Sequence, residues 1–519
     1  MAFYKALEKI ELKKYSEASD DNFGVVFYSK GSLKTTKLFD SEVKGKVSNF
    51  FEDESKASLM VSKEFSGLSR DVLFVRDFDK KKPEHKKENW LMGVFAQLDK
   101  YNVESASIFA DTSMHIKDKN FAFNIAKYAE KSAYRYTDTN PNTKKDAKLK
   151  ELDICVEKSS AALKRSVELG YNVGRGANTA RNLGNRPANH ATPTYIANQV
   201  VELSKDVGGF KVDVLEEKDM KKLGMGSLLS VSEGSVEPAK LVTMEYKGGK
   251  KGAKPIVLVG KGVTFDTGGI SLKPSPKMDE MKWDMSGAGS VIGTMCAVAK
   301  SKLPVNLVCT VALSENMLGS KATKPGDVVT SMSGQTVEIL NTDAEGRLVL
   351  SDALTYVGKY DPKVVINTAT LTGAVVVALG SVAAGVMGND QKLVDEILEA
   401  GQTTGEKAWQ LPMWDEYQTY LDSNFADIAN IAPGRAAGTI EGACFLSRFT
   451  KDYRWAHIDI AGVADIGEGK AKGSTGVPVG LLFEYVKSNF LCKQLFFQVF
   501  QIHLKHLILC WRTFIRIFK

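Results

Sequence analysis

Along the first 158 residues, short apolar runs alternate with segments whose apolar positions recur at helical spacing. Residues 24–28, 72–75, 105–110 and 152–156 read as strands, and residues 89–101 and 121–136 as helices. From 159 to about 183 the pattern is helical, with Ala162, Leu163, Val167 and Leu169 apolar among charged neighbours, as on a helix joining two bodies. A turn-rich passage follows, and then strand-like runs at 211–215, 241–246, 256–259, 305–312, 364–367 and 457–460 alternate with helical patterns at 196–205, 287–302 and 348–360. Ile256-Val257-Leu258-Val259 is apolar without alternation, which marks a strand covered on both faces. The expected fold is α/β: an N-terminal small α/β domain over 1–158, a linker helix over 159–184, and a C-terminal α/β/α domain over 185–490 with a mixed, mainly parallel sheet. Residues 491–519 form an atypical basic hydrophobic tail.

Composition changes this picture little. The 43 % apolar and 25 % charged residues are ordinary for a globular protein, and 519 residues exceed one core, so at least two domains are expected. Lys493, Lys505, Arg512, Arg516 and Lys519 supply five charges in a tail without acids; removing those five from the net +7 leaves +2 for the rest. A body so nearly balanced carries no footprint for nucleic acid. The six cysteines contain no Cys-x-x-Cys pair, which argues against a disulfide framework and fits a reducing compartment. The first 20 residues lack the order of a signal peptide, so a cytoplasmic location is expected. The small apolar run at 374–387 is broken by Gly380 and Gly385 and falls short of the roughly 20 residues that span a bilayer. It reads as core or pocket lining, and no membrane partner is expected. The lysine runs at 80–82 and 144–145 read as solvated loops. The tail reads as a loosely ordered extension, with a basic amphipathic helix as the alternative.

The candidate chemistry lies in two stretches. Asn341-Thr342-Asp343-Ala344-Glu345-Gly346-Arg347-Leu348 sets two acids two residues apart between a strand-like run and a helix. Alone, such a pair is usually a helix cap with a first-turn acid. The second stretch, Gly260-Lys261-Gly262 through Asp266-Thr267-Gly268-Gly269 to Lys273 and then Met281 and Asp284, follows the strand at 256–259. No Ser or Thr follows Lys261 directly, so a phosphate-binding loop is not supported. None of the six histidines lies between 255 and 350, which excludes a histidine zinc site or a Ser-His-Asp triad built from this segment. Asp266, Asp284, Asp343 and Glu345 offer four carboxylates instead. Two divalent cations would neutralise them, and oxygen donors accept Mn²⁺, Mg²⁺ or Zn²⁺.

These motifs closely resemble the leucyl aminopeptidase family of two-metal exopeptidases. The likeness runs from Asn185-Arg186-Pro187-Ala188-Asn189 through Thr368-Ala369-Thr370-Leu371-Thr372-Gly373 to Val477-Pro478-Val479-Gly480. The first domain resembles the family's variable N-terminal domain only broadly, and the tail extends past the family's usual end. The resemblance implies that Asp266 and Glu345 bridge two divalent metal ions, Zn²⁺, Mn²⁺ or Mg²⁺. Asp343 completes an exchangeable site and Lys261 with Asp284 a tight one, leaving Lys273 and Arg347 for catalysis. It further implies a bicarbonate held by Arg347 and backbone amides including that of Leu371, a substrate pocket at Met281, Thr370 and Gly373, peptide substrates with leucine preferred, and a homohexamer. The physical logic agrees, because paired metals about 3.5–4 Å apart activate a water at neutral pH and stabilise developing charge. A lysine ligand must be neutral, and deprotonating it at pH 7 costs roughly 4–5 kcal/mol, which metal binding has to supply. Met281 alone fits core packing equally well. An endopeptidase or amidase with the same metals, and a binding protein on the same scaffold, are the rival readings.

Overall fold

The computed structural model describes residues 2–19, 21–29, 39, 41–62, 70–79, 86–113, 115, 120–140, 142, 145–469 and 471–489. Lys80, Lys81, Lys82, Lys144 and the tail at 491–519 lie outside the described residues. The first sheet has six strands in the order Lys9–Lys14, Glu151–Val156, Ser105–Phe109, Phe23–Tyr28, Val72–Arg76 and Ser58–Val61. All neighbours are parallel except the last pair. Four of these strands match the sequence pattern. Lys9–Lys14 and Ser58–Val61 were not anticipated, because both are edge strands whose residues are mostly half-buried or exposed, so no apolar run announces them.

The predicted linker helix spans Ala161–Asn185, started by Ser160, whose hydroxyl accepts from the Leu163 amide at 3.2 Å. It packs on Phe121–Ala133 of the first layer and on Ser286–Lys300 of the second. Glycines permit that approach: a Cβ on Gly176 would lie 2.6 Å from the Gly293 carbonyl oxygen, and one on Gly293 2.3 Å from that of Gly176. From Val167 onward the helix is largely buried between these two neighbours.

The second sheet has eight strands, in the order Ala408–Gln410, Ala384–Gly388, Trp455–Asp459, Val364–Ala369, Ile256–Asp266, Asn306–Asn316, Lys240–Lys247 and Phe210–Glu216. Its four central strands run parallel, while Ala384–Gly388, Lys240–Lys247 and Phe210–Glu216 lie antiparallel to their inner neighbours, giving the mixed sheet expected. Ile256 and Leu258 enter one core while Val257 and Val259 enter the other, so both faces are dry. Pro193–Val207, Ser286–Lys300 and Gln391–Thr404 cover the first face; Gly226–Ser232, Glu345–Val357 and Gly438–Ser447 cover the second. The apolar run at 374–387 resolves into the helix Gly373–Leu379 and the strand Ala384–Gly388, separated by Gly380 at φ +62°. Cys155, Cys296, Cys309 and Cys444 are free and buried. Among the described residues, no helix is long and apolar enough to cross a membrane.

One surface feature titrates with a predictable sign. Asp390 caps the helix Gln391–Thr404 by accepting from the Leu393 amide at 2.8 Å, and also accepts from Arg454 Nε and Nη2 at 2.8 Å each. The Arg454 hydrogen bonds hold its carboxyl at about 2, against some opposition from burial. Because the folded value lies below the unfolded one, the stabilisation is present above about pH 4 and is lost as pH falls towards 2. Asp390→Ala is expected to cost about 1 kcal/mol at pH 7, since cap and pair are partly exposed, and almost nothing near pH 2. Urea unfolding at the two pH values checks this.

Candidate metal centre

The parallel strands bring their C-terminal ends to one edge of the sheet, where open α/β sheets bind ligands. Asp266 ends Ile256–Asp266, Asn316 ends Asn306–Asn316, Asp459 ends Trp455–Asp459, and Thr370 follows Val364–Ala369. Strand Ile256–Asp266 runs well past the predicted 256–259 and so carries both Lys261 and Asp266. The loop after it is stitched to the acid-pair segment: Thr342 Oγ1 donates to the Gly268 carbonyl at 2.6 Å and accepts from the Ser271 amide at 2.8 Å. Asp343 occupies a turn, its amide bonded to Asn341 Oδ1 at 2.8 Å, and Glu345 is the first residue of the helix Glu345–Val357. Neither acid caps that helix. Its cap position is Ala344, with no side-chain cap bond.

Both acids turn instead to lysines. Lys261 Nζ lies 2.8 Å from Asp284 Oδ2 and 2.8 Å from Glu345 Oε1, and donates to the Thr370 carbonyl at 2.9 Å. Lys273 Nζ lies 2.8 Å from Asp266 Oδ2 and pairs with Asp343 Oδ1. Asp266 Oδ1 accepts from the Gly268 amide at 2.9 Å and from Asn316 Nδ2 at 2.8 Å. Asp284 Oδ1 accepts from Thr370 Oγ1 at 2.7 Å. Oxygens of Asp266, Asp343 and Glu345 lie within 4.8 Å of one another. These groups open on a cleft of about 630 Å³, lined also by Met281, Leu371 and Gly373. A Cβ on Gly373 would meet nothing within 4 Å, so the position faces open space.

The electrostatics are those of a cluster short of positive charge. Burial disfavours both ammonium groups, yet the surrounding carboxylates outweigh it and raise Lys261 and Lys273 above the usual lysine range. Burial also pushes Asp284 well above the carboxylate range and Asp343 to about 6, against the pull of the paired lysine. Four carboxylates face two ammonium groups, which leaves two formal negative charges in a poorly solvated pocket. Converging hard oxygen donors with a charge deficit fit divalent cations. Lys261 can join them only as the neutral amine, so the cluster that protonates it also sets the cost of recruiting it.

Arg347 stands apart from the acids. Residues two apart on a helix point roughly 200° from each other, so Glu345 faces Lys261 while Arg347 lines an adjoining cleft of about 720 Å³ that shares Asp343, Leu371, Thr372 and Gly373 with the first. Its Nη1 donates to the Asn430 carbonyl at 2.7 Å, and burial lowers its pKa against the attraction of Glu441, Glu345 and Asp459. The Leu371 amide donates to Asp459 Oδ1 at 3.1 Å, and Thr372 Oγ1 to Asp459 Oδ2 at 2.6 Å.

Sequence reasoning missed Asn316, Asn430, Asp459 and His457. All four lie outside the two motif stretches, and only the fold gathers them. His457 is buried with Nδ1 2.8 Å from Asn367 Nδ2; burial, then Arg347, pushes its pKa down to about 3, so it is neutral at working pH.

The model of the cytosol aminopeptidase family's catalytic domain matches residues 178–483. The chain belongs to the cytosol aminopeptidase family. The matched span takes in every motif quoted above for the cleft and excludes the first sheet. A probable cytosol aminopeptidase of Thioalkalivibrio sulfidiphilus is 62 % identical over 321 residues, which are 62 % of this chain and 64 % of that relative's length. One from Nitrosomonas europaea is 53 % identical over 384 residues, 73 % of this chain and 77 % of that one. Among solved structures, a mutant of tomato leucine aminopeptidase superposes with a TM-score of 0.81 at 28 % identity, covering 92 % of this chain and 96 % of that one. The likeness to a family member therefore extends over the first sheet in structure, beyond the family-model match in sequence.

Proposed function

We propose that this chain is a metal-dependent aminopeptidase that releases N-terminal residues, preferably leucine, from peptides in the cytoplasm. The observation that carries the reading is the cleft in which four carboxylates, the buried Lys261 and the partly buried Lys273 converge at the C-terminal ends of parallel strands. Asp266, Glu345, Asp343, Asp284 and the neutral amine of Lys261 would hold two divalent ions, with Asp343 at the exchangeable site and Lys261 and Asp284 at the tight one. When bound, Zn²⁺, Mn²⁺ or Mg²⁺ supplies Lewis acidity and lowers the pKa of water. The protein does the rest. The acidic end of the cleft attracts a free α-amino group, while Met281, Thr370 and Gly373 leave an adaptable, open space for the first side chain. Lys273, kept protonated by Asp266 and Asp343, offers an ammonium donor for the oxygen that gains charge on attack. Arg347 offers a planar fork for a bicarbonate acting as proton carrier. Such an anion has to compete with Asp459 for the Leu371 amide. The exposed Val377, Val382, Trp409, Trp414 and Phe425 support burial in a homohexamer.

The test is hydrolysis of leucyl anilide and leucyl peptides with Mn²⁺ or Zn²⁺. Cleavage is expected, with its loss on chelation, its return on adding metal, and none with the N-acetylated peptide. Equal cleavage of the acetylated peptide would replace this reading with an endopeptidase or amidase, because amine recognition would be absent.

A further inference from the structure

Glu345 and Arg347 share a helix, but Asp343 precedes it in a turn, so the helix alone does not fix the placement of the acid cluster against the guanidinium. Asn430, fully buried and more than 80 residues away in sequence, touches both sides. It follows the two-residue strand Ile428–Ala429, which pairs in parallel with Thr336–Ile339. Its amide extends that pairing by donating to the Glu338 carbonyl at 2.9 Å. Where the partner strand ends, the Asn430 side chain takes over as a peptide group would. Its Oδ1 accepts from the amides of Leu340 at 2.9 Å and Asn341 at 3.3 Å, and its Nδ2 donates to the Asn341 carbonyl at 2.7 Å. The turn so held is the one whose Asn341 side chain fixes the Asp343 amide. The main-chain carbonyl of Asn430 meanwhile receives Arg347 Nη1.

We infer that Asn430 is a positioning residue that sets the carboxylates of the 341–345 turn and the Arg347 guanidinium in register with each other. The inference rests on the proposed metallo-aminopeptidase reading for its catalytic readout, but its metal-binding readout stands apart from catalysis. Asn430 acts through the turn and through Arg347; it lines neither cleft. An alanine here removes three bonds to the main chain of the turn and keeps the carbonyl for Arg347, so the turn loosens while Arg347 stays anchored. Loss of such an outer support weakens metal affinity or activity by roughly 10- to 100-fold.

Asn389 provides the control. Its side chain also makes three main-chain bonds, accepting from the Trp455 amide at 2.7 Å and donating to the carbonyls of Tyr453 at 3.0 Å and Thr450 at 3.3 Å. It lines neither cleft. The experiment compares the full-length protein with Asn430→Ala and Asn389→Ala by thermal melting, by calorimetric titration of the metal-free protein with Mn²⁺, and by kcat and KM on leucyl anilide. For Asn430→Ala, about 10-fold weaker Mn²⁺ binding and a kcat about 10- to 100-fold lower are expected, with KM within about 3-fold. Asn389→Ala is expected to lower the melting temperature with Mn²⁺ affinity and kcat unchanged. If Asn430→Ala does not fold, Asn430→Asp keeps both accepting positions but sets a carboxylate oxygen against the Asn341 carbonyl where the amide donated, so the turn is pushed away and weaker Mn²⁺ binding is expected there too. Unchanged Mn²⁺ affinity in the folded Asn430 variant overturns the proposal, as does an equal loss of affinity in Asn389→Ala. If the wild-type protein hydrolyses nothing, the aminopeptidase reading fails while the Mn²⁺ titration still decides the role of Asn430.

Discussion

Glu345→Gln is expected to lower kcat/KM on leucyl anilide by about a thousandfold or more, while the metal-free protein melts at or above the wild-type temperature. The two outcomes pull apart for a physical reason. Glu345 is buried within a group of four carboxylates, its Oε1 lies 2.8 Å from Lys261 Nζ, and its carboxylate belongs to the set shared with Asp266 and Asp343. Glutamine keeps the volume and one oxygen but removes a full negative charge. In the empty cluster that change relieves like-charge repulsion, and Lys261 keeps Asp284 at 2.8 Å, so the fold has little to lose. For the proposed function the same change removes one of the carboxylates that would hold metal and half of the formal charge deficit that draws divalent ions. Losing one preorganised electrostatic group typically costs 10²- to 10³-fold, and loss of metal adds to that. The check is kinetics at saturating Mn²⁺ beside calorimetric melting in chelator. Activity within tenfold of wild type would remove Glu345 from the proposed machinery, and a melting temperature well below wild type would make its role structural.

Much of the centre was legible because its chemistry is concentrated in two short stretches. Lys261, Asp266, Lys273 and Asp284 lie within 24 residues and Asp343 and Glu345 within three; the first stretch follows the apolar run of a buried parallel strand, and the second follows the short strand Thr336–Ile339 of a separate three-stranded sheet. What stayed hidden depends on pairing. Asp459 ends a strand that reaches the site only because Trp455–Asp459 pairs with Val364–Ala369. Asn430 matters only because two short strands align Glu338 with Ala429, a register no periodicity in four or two residues can announce. Edge strands such as Lys9–Lys14 escaped for the complementary reason that half-buried positions carry no apolar run. The expectation for Leu371 shows a third limit. An amide can be assigned to a ligand by resemblance, but a carboxylate that competes for it becomes visible only once Asp459 is placed 3.1 Å away.

Gly346→Ala separates helix stability from site geometry in a single methyl group, and it is expected to cut activity by about a hundredfold with the melting temperature nearly unchanged. Gly346 is the second residue of the helix Glu345–Val357, where alanine favours the helix by up to about 1 kcal/mol. A Cβ there would lie 2.6 Å from both Nζ and Cε of Lys261 and 2.8 Å from its Cδ. The end of a lysine is normally free to swing aside, but this one is buried and held by Asp284, Glu345 and the Thr370 carbonyl, and three consecutive side-chain atoms are struck at once. Relieving the overlap costs about 1–3 kcal/mol, which the gain in the helix offsets in part, so a chain of this size melts within a few degrees of wild type. The displaced amine then no longer meets Asp284 and Glu345 together, so the proposed tight metal site loses its nitrogen donor. Gly93, inside the helix Lys86–Lys100 with nothing within 4 Å of a Cβ, is the matched control: Gly93→Ala should raise stability by up to about 1 kcal/mol with activity unchanged. Equal kcat/KM values for the two alanine variants would mean that Lys261 has room to retreat and that its contact with the acid pair does not limit the reaction.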